Sequence, residues 1–262
     1  MTIANLSGGR DSTAMVIKTL ESGNDIDKII FCDTLYEFKE MYDYIDKLDS
    51  YLQRKFNKSI IRLKPSEDIL YKWAFSYEIQ KGENKGRFRG LPKAIGLDYC
   101  TRELKANSTR DYIKGISPNK FKNKVLIGYT YNEVENGRIS NLSYGISVYP
   151  LHEYKYDELE CENFLKSRGI ANPLYKHFKR TGCYLCPKQS TQSLYNLYRF
   201  YKVEWEKCKD LESKAKELNA VTQTFKPNIS LIEYEKQFKK LDTMPSLDIN
   251  VEYEEEAVCF CK

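Results

Sequence analysis

The run Ser7-Gly8-Gly9-Arg10-Asp11-Ser12-Thr13 combines residue types suited to holding an anion. Its two glycines let backbone amides come close to a ligand. Ser7, Ser12 and Thr13 add hydroxyl donors, and Arg10 brings a charge that can neutralise phosphate. Asp11 can cap a helix and help to position a metal. Residues 2–6 are apolar and read as a buried strand, while residues 11–22 carry Ala14, Val16, Ile17 and Leu20 at helical spacing. A phosphate at this strand–turn–helix junction would meet the unpaired amides and favourable dipole of a helix N-terminus. The plain alternative, a Ser-Gly-Gly turn followed by an Asp-Ser cap, accounts for a few of these residues but not for the whole run. The loop is not the type in which Gly-Lys-Ser/Thr follows four variable residues.

The second chemical feature is Cys183-Tyr184-Leu185-Cys186, led by Gly182. A tight turn at this spacing brings two sulfurs to one side and makes half of a metal site. The alternative is an idle or redox-active pair. No signal peptide precedes the first strand, so the chain is expected to be cytoplasmic. Its eight cysteines then point to metal or redox chemistry rather than to a disulfide framework. Cys32 and Cys161 are expected to be core or surface residues. His152 and His177 have no visible partner.

Elements alternate in a way that positions these groups. Strands are expected at 2–6, 28–32, 59–63, 124–129 and 147–151. Helices are expected at 11–22, on the face formed by Phe38, Met41, Ile45, Leu48 and Leu52, at 104–113, at 156–168, at 193–218 and at 230–241. This is the pattern of βαβ units around a parallel sheet. Residues 81–90, rich in glycine and charge, read as a mobile loop.

The chain has 262 residues, 41% of them hydrophobic and 30% charged. This suits one large domain, or a domain with an appendage, that buries its core without disulfides. The net charge of +5 fits an anionic substrate but is too small to argue for nucleic-acid binding by itself. The 21 tyrosines can stack on bases, although ordinary packing explains them. No apolar run reaches the roughly 18 residues of a membrane span, so no membrane partner is expected.

Taken in order, the motifs resemble a known family. Ser7-Gly8-Gly9-Arg10-Asp11-Ser12 resembles the Ser-Gly-Gly-x-Asp-Ser signature of the PP-loop ATP pyrophosphatases, or adenine nucleotide α-hydrolases. Phe31-Cys32-Asp33-Thr34 with Glu37 resembles the strand-end Asp-Thr-Gly of the phosphoadenosine phosphosulfate (PAPS) reductase family, with Leu35 in place of the glycine. Tyr99-Cys100-Thr101-Arg102-Glu103-Leu104-Lys105 is similar to that family's Cys-Thr-x-x-x-Lys segment. Ile127-Gly128-Tyr129 with Glu133 and Arg138, Tyr149-Pro150-Leu151, Arg168-Gly169-Ile170 and Arg180-Thr181-Gly182-Cys183-Tyr184-Leu185-Cys186-Pro187 resemble later segments of the same family.

The resemblance implies an α/β, Rossmann-like parallel twisted sheet with helices on both faces over residues 1–190. Residues 191–262 would form a mainly helical extension. It implies nucleotide binding by Ser7, Gly8, Gly9, Asp11, Ser12, Thr13, Asp33, Thr34 and Gly128, with Arg10, Asp11, Lys105 and Arg138 in catalytic roles. The nucleotide would be ATP with Mg²⁺, or PAPS. Cys100 would join Cys183 and Cys186 at a [4Fe-4S] or zinc centre, with Cys261 as fourth ligand and Cys208 or Cys259 as alternatives, or with one iron left open. The terminal Cys259-Phe260-Cys261-Lys262 lacks the Glu-Cys-Gly-Leu/Ile-His tail of the reductases. The loop keeps Gly-Gly-x-Asp-Ser, which in the reductases is often degenerate. Both departures favour ATP-dependent adenylylation, with pyrophosphate release and sulfur transfer from a donor to a nucleic-acid or protein substrate. The alternatives are a thiol-dependent reductase of PAPS or adenylyl sulfate, and a non-catalytic nucleotide-binding partner.

Overall fold

The computed structural model describes residues 1–93 and 99–243. Five strands, β1 (Thr2–Leu6), β2 (Lys28–Cys32), β3 (Ile60–Leu63), β4 (Lys124–Leu126) and β5 (Ile146–Val148), form one sheet in the order β3-β2-β1-β4-β5. Every pairing is parallel. Alternate side chains leave opposite faces of each strand, so the sheet divides the core in two. Ala4, Leu6, Ile29 and Phe31 point into one apolar cluster, and Ile3, Ile30, Val125 and Ile127 into the other. This is the Rossmann-like sheet covered on both faces.

The helices follow from the same patterning. In α1 (Arg10–Glu21) the buried apolar residues are Ala14, Met15, Val16 and Ile17. In α2 (Lys39–Phe56) Met41, Tyr44, Ile45, Leu48 and Leu52 form one buried stripe, and Asn57 closes the helix at φ 53°. On the first face α1 lies against α7 (Glu158–Lys166), whereas α4 (Ser108–Ile116) covers β2 from the other. Arg10, at the start of α1, pairs with Glu158 at the start of α7, and Glu21 pairs with Arg168 just past its end. The two helices therefore run parallel.

Several boundaries differ from expectation, each for a local reason. The β4 ladder stops at Leu126 rather than at 129. The β5 strand stops at Val148, because Pro150 opens a short helix, α6 (Pro150–Glu153), where its missing N–H is not needed. The helix expected at 104–113 is a π-helical turn, Thr101–Asn107, that runs on into α4. Such turns recur at functional sites. The single helix expected at 193–218 is two helices, α8 (Thr191–Phe200) and α9 (Lys202–Glu217). Between them the Tyr201 ring packs at 4.7 Å from Phe38 and 5.4 Å from Phe178, and its backbone leaves helical geometry.

Residues 81–90, expected as a mobile loop, are tied to the C-terminal part. Phe88 and Arg89 accept from the amides of Val221 and Thr222, and Thr222 accepts from Leu91. A side chain on Gly90, at φ 74°, would meet the Thr222 carbonyl oxygen at 2.0 Å. The described part of the C-terminal region includes α10 (Leu231–Thr243). Its Phe238, with Leu197 of α8 and Trp205 of α9, shares the core cluster of Ala4 and Leu6.

Candidate functional site

Strand order reverses between β1 and β4. In open parallel sheets the carboxyl ends of strands at such a point frame the ligand crevice. The loop 7–9 leaves β1 there and Gly128 follows β4. A Cβ on Gly128 would sit 2.8 Å from Ser12 Cα and 2.9 Å from Ser12 N, so β4 exits directly onto the first turn of α1. Gly8 has φ 75°, and a Cβ there would meet Met41 Sδ at 2.4 Å. Only glycine allows either approach.

The loop is held by its own serines and by distant residues. The Ser7 amide donates to Ser12 Oγ at 3.2 Å, the two hydroxyls lie 2.9 Å apart, and Ser12 Oγ donates to the Gly9 carbonyl at 3.2 Å. From outside, Asn172 Nδ2 donates to the Gly8 carbonyl at 2.8 Å, and the Arg10 amide donates to the Tyr175 hydroxyl at 2.8 Å. Neither Asn172 nor Tyr175 was expected from the sequence. Asn172-Pro173 reads as a turn, and Asn172 does cap Pro173–Lys176, but nothing local discloses its second contact with Gly8.

Two cavities meet at this loop. One, of about 930 Å³ and open to solvent, lies at the switch point among Phe31, Cys32, Ile127, Gly128, Tyr129 and Tyr144. The other is an open cleft of about 1290 Å³ walled by Asp11, Thr34, Cys100, Cys183, Cys186 and Lys188, among others. Ser7, Ser12, Glu37, Thr101 and Lys105 belong to both walls. Lys188, buried and directly after the Cys-x-x-Cys-Pro turn, was missed because a single lysine past a turn carries no pattern. Glu37 is buried, and burial raises its carboxyl pKa against the opposing charge of Lys105. Thr34 Oγ1 donates to it at 2.9 Å.

The structure brings together many of the expected residues, but not all. Ser7, Gly9, Arg10, Asp11, Ser12, Thr34, Lys105, Cys100, Cys183 and Cys186 line the cleft, and Gly128 lines the inner cavity. Thr13 is fully buried behind the loop, where the Tyr44 hydroxyl donates to it at 3.2 Å. Asp33 closes its own turn, accepting from the Leu35 amide at 2.8 Å and the Tyr42 hydroxyl at 2.7 Å. Leu35, in the place of the expected glycine, takes φ 66°. Arg138 stands behind the inner cavity, paired with Glu133 and 4.1 Å above the Tyr129 ring, which stacks on Tyr149.

Arg10, expected in a catalytic role, lines the cleft among carboxylates. Its guanidinium meets Glu158 at 2.5 Å, Asp11 at 3.3 Å and Glu162 at 3.5 Å, above the Tyr175 ring. Burial would lower its pKa, but Asp11 and Glu158 outweigh this and the net direction is upward. Its charge is already spent on carboxylates. Lys105 and Lys188 also line the cleft.

The cysteine turn is positioned by Tyr184, whose amide donates to the Tyr36 carbonyl at 3.0 Å, and by Gln189, which donates to the Tyr184 carbonyl at 3.1 Å. Cys100, Cys183 and Cys186 face one cleft, and three thiols suit zinc or iron–sulfur in kind. Among the described residues, however, no three His, Cys, Asp or Glu side chains gather closely enough to hold a metal. Cys208 is buried, with its thiol on the Tyr184 carbonyl at 3.7 Å. Cys259 and Cys261 lie outside the described residues. No helix among the described residues is long and apolar enough to cross a membrane.

The model of the phosphoadenosine phosphosulfate reductase domain matches residues 2–189. Two uncharacterized proteins of Methanocaldococcus jannaschii are similar in sequence. One is 25% identical over 211 residues, covering 78% of this chain and 40% of the relative. The other is 26% identical over 193 residues, covering 70% and 40%. The chain thus spans about two fifths of the length of these curated relatives. Among solved structures, a PAPS reductase from Candida auris in a phosphate complex aligns with a TM-score of 0.47 at 15% identity, over 70% of this chain and 80% of that one. The U34-tRNA thiolase NcsA from Methanococcus maripaludis, with its [4Fe-4S] cluster, aligns with a TM-score of 0.38 at 11% identity, over 90% and 80%.

Proposed function

The chain belongs to the phosphoadenosine phosphosulfate reductase domain family, and from that premise we propose that it is an enzyme that binds ATP across the β1/β4 crevice and adenylylates a substrate. One observation carries this reading: Ser7, Ser12 and Lys105 stand on the wall shared by the inner cavity and the open cleft. A nucleotide with its base in the inner cavity, between Ile127-Gly128-Tyr129 and Phe31, would place its phosphates on that wall and expose them to the cleft. The Arg10 amide is taken by the Tyr175 hydroxyl and the Thr13 amide by the Gly9 carbonyl, so the positive end of the α1 dipole and the two serines would hold phosphate oxygens. Lys105 and Lys188 would balance the phosphate charge, and Mg²⁺ would accompany ATP.

In the reaction, an oxygen of the substrate attacks the α-phosphorus from the cleft. The bond to the bridging oxygen breaks and pyrophosphate leaves. Catalysis by these residues is positioning and charge stabilisation. Cys100, Cys183 and Cys186 face the same cleft, so a sulfur carried on a thiol there would lie beside the activated substrate.

The test uses labelled ATP and, separately, PAPS with reduced thioredoxin. ATP binding with pyrophosphate release is expected, and Lys105→Ala should weaken ATP binding by on the order of 10- to 100-fold, the size of a charge-assisted contact. Sulfite release from PAPS would replace this reading with reduction. Failure to bind either nucleotide would end it.

A further inference from the structure

The cleft has an outer lip that the nucleotide reading does not use. Three chain segments wall the cleft on one side: α3 (Ile69–Phe75) through Leu70, residues 89–92 through Pro92, and the π-helical turn through Thr101. Each also places a side chain on one outward patch. Trp73 sits one helical turn beyond Leu70. The Arg89 guanidinium lies 4.6 Å from its ring centroid, and the Arg102 guanidinium, directly after Thr101, lies 5.9 Å from it. Tyr77 packs edge-on to the same indole at 6.0 Å and is 45% exposed. Arg89 is partly anchored through Nη1 to the Tyr77 carbonyl at 3.3 Å, and Arg102 through Nε to Glu103 at 2.7 Å. The remaining cleft wall adds Lys179, Arg180 and Lys188.

One cation over an exposed aromatic ring is a common surface contact. Two arginines from separate segments converging on one half-buried indole, beside the exposed Tyr77 ring, form a different kind of surface. Guanidinium groups match phosphodiester oxygens in a forked geometry, and aromatic faces accept bases of any identity by stacking. The planar rings and the cations alternate over a short distance, and further cations follow into the cleft. A folded acidic protein would need only the charges. A strand of unpaired nucleotides would use the rings as well.

We propose that Trp73, Tyr77, Arg89 and Arg102 form a docking lip for single-stranded nucleic acid and lead an unpaired nucleotide into the cysteine cleft as the acceptor substrate, an inference that rests on the nucleotide reading above. Arg89 and Arg102 hold backbone phosphates, and the exposed Tyr77 ring stacks a base.

The experiment measures binding of fluorescein-labelled single-stranded RNA and DNA oligonucleotides of mixed sequence, about 20 nucleotides long, by anisotropy over a salt series. Saturable binding that weakens with salt is expected. The R89E/R102E variant should bind at least about 10-fold more weakly. Loss of two phosphate contacts should reduce the log–log salt slope by roughly 1.4, at about 0.7 per single-strand contact. Trp73 packs on both arginines, so Tyr77→Ala serves as the milder variant, with a loss of several-fold through stacking alone. Circular dichroism and ATP affinity are measured on each variant and should stay at wild-type values. An oligonucleotide signal that survives in both variants would overturn the proposal, as would equal binding of poly-glutamate or of duplex DNA. Loss of ATP binding in the wild type with the lip intact would sink the nucleotide reading alone, because the oligonucleotide assay contains no ATP.

Discussion

The two ends of the parallel α1–α7 pair carry ion clusters of opposite sense. At the far end one carboxylate, Glu21, is shared by two cations, Arg168 at 2.7 Å and Lys55 at 2.5 Å. At the cleft end the three carboxylates of Asp11, Glu158 and Glu162 share Arg10, and Glu162 also pairs with Lys166. The far cluster holds α1, α2 and the end of α7 together with its charges balanced in favour of cations. The cleft cluster leaves an excess of negative charge next to a loop whose amides favour anions. The difference separates cohesion from binding. Arg10 braces the loop from the side, and in the proposed reading attraction for phosphate falls to the serines, the helix N-terminus and the lysines of the cleft.

The sharpest way to break the cleft end alone is Gly128→Val. Its side chain would collide with the backbone of Ser12, displacing the first turn of α1. Overpacking of this kind costs about 1–3 kcal/mol. ATP binding should fall by more than about 100-fold in calorimetry, while the Glu21 cluster keeps its acid response. Relieving the negative excess with E158Q/E162Q is a smaller change. ATP affinity should rise by roughly five- to thirtyfold, because each of the two lost carboxylates removes a partly screened repulsion of about 0.5–1 kcal/mol. Unchanged or weaker binding would show that Arg10 needs these partners to present the loop.

Arg168→Ala should have the least effect. The hydrogen bond from Arg168 is the main cause that lowers the Glu21 pKa to about 2, with Lys55 adding to it and burial opposing it. A folded pKa below the unfolded one contributes stability that is full above pH 4.5 and is lost as pH falls toward 2. In the variant this acid limb should flatten in a plot of Tm against pH. The cluster is near the surface, so the loss at neutral pH should be under about 1 kcal/mol. ATP affinity should not move. A variant that loses both would mean that the two ends are coupled through the helix pair.

Much of the frame was legible before the structure. The boundaries of β1 and β2 fall where the apolar runs predicted them, because a buried parallel strand is a short continuous run. Expectations resting on a side chain's direction were less successful. Arg138 and Thr13 stand in motif positions, yet one stacks behind Tyr129 and the other is sealed under Tyr44. Residue spacing does not say which way a side chain points once a distant ring arrives. Tyr201 shows the same limit in the backbone, since its helical pattern gives way to packing on Phe38 and Phe178.

By itself the amino-acid sequence determined the local devices: the strand–loop–helix at residues 2–21, glycines where the chain turns left-handed or touches another backbone, and the Cys183–Cys186 turn. These depend on interactions within a few residues, so spacing encodes them. The tertiary structure alone decided who meets whom. It placed Asn172 and Tyr175 on the loop, surrounded Arg10 with carboxylates and brought Lys105, Lys188 and three cysteines around one cleft. It also gathered Arg89 and Arg102 onto Trp73. Those contacts join segments tens to more than a hundred residues apart, and only packing of the helices on the sheet brings them within range of charge and hydrogen bonding.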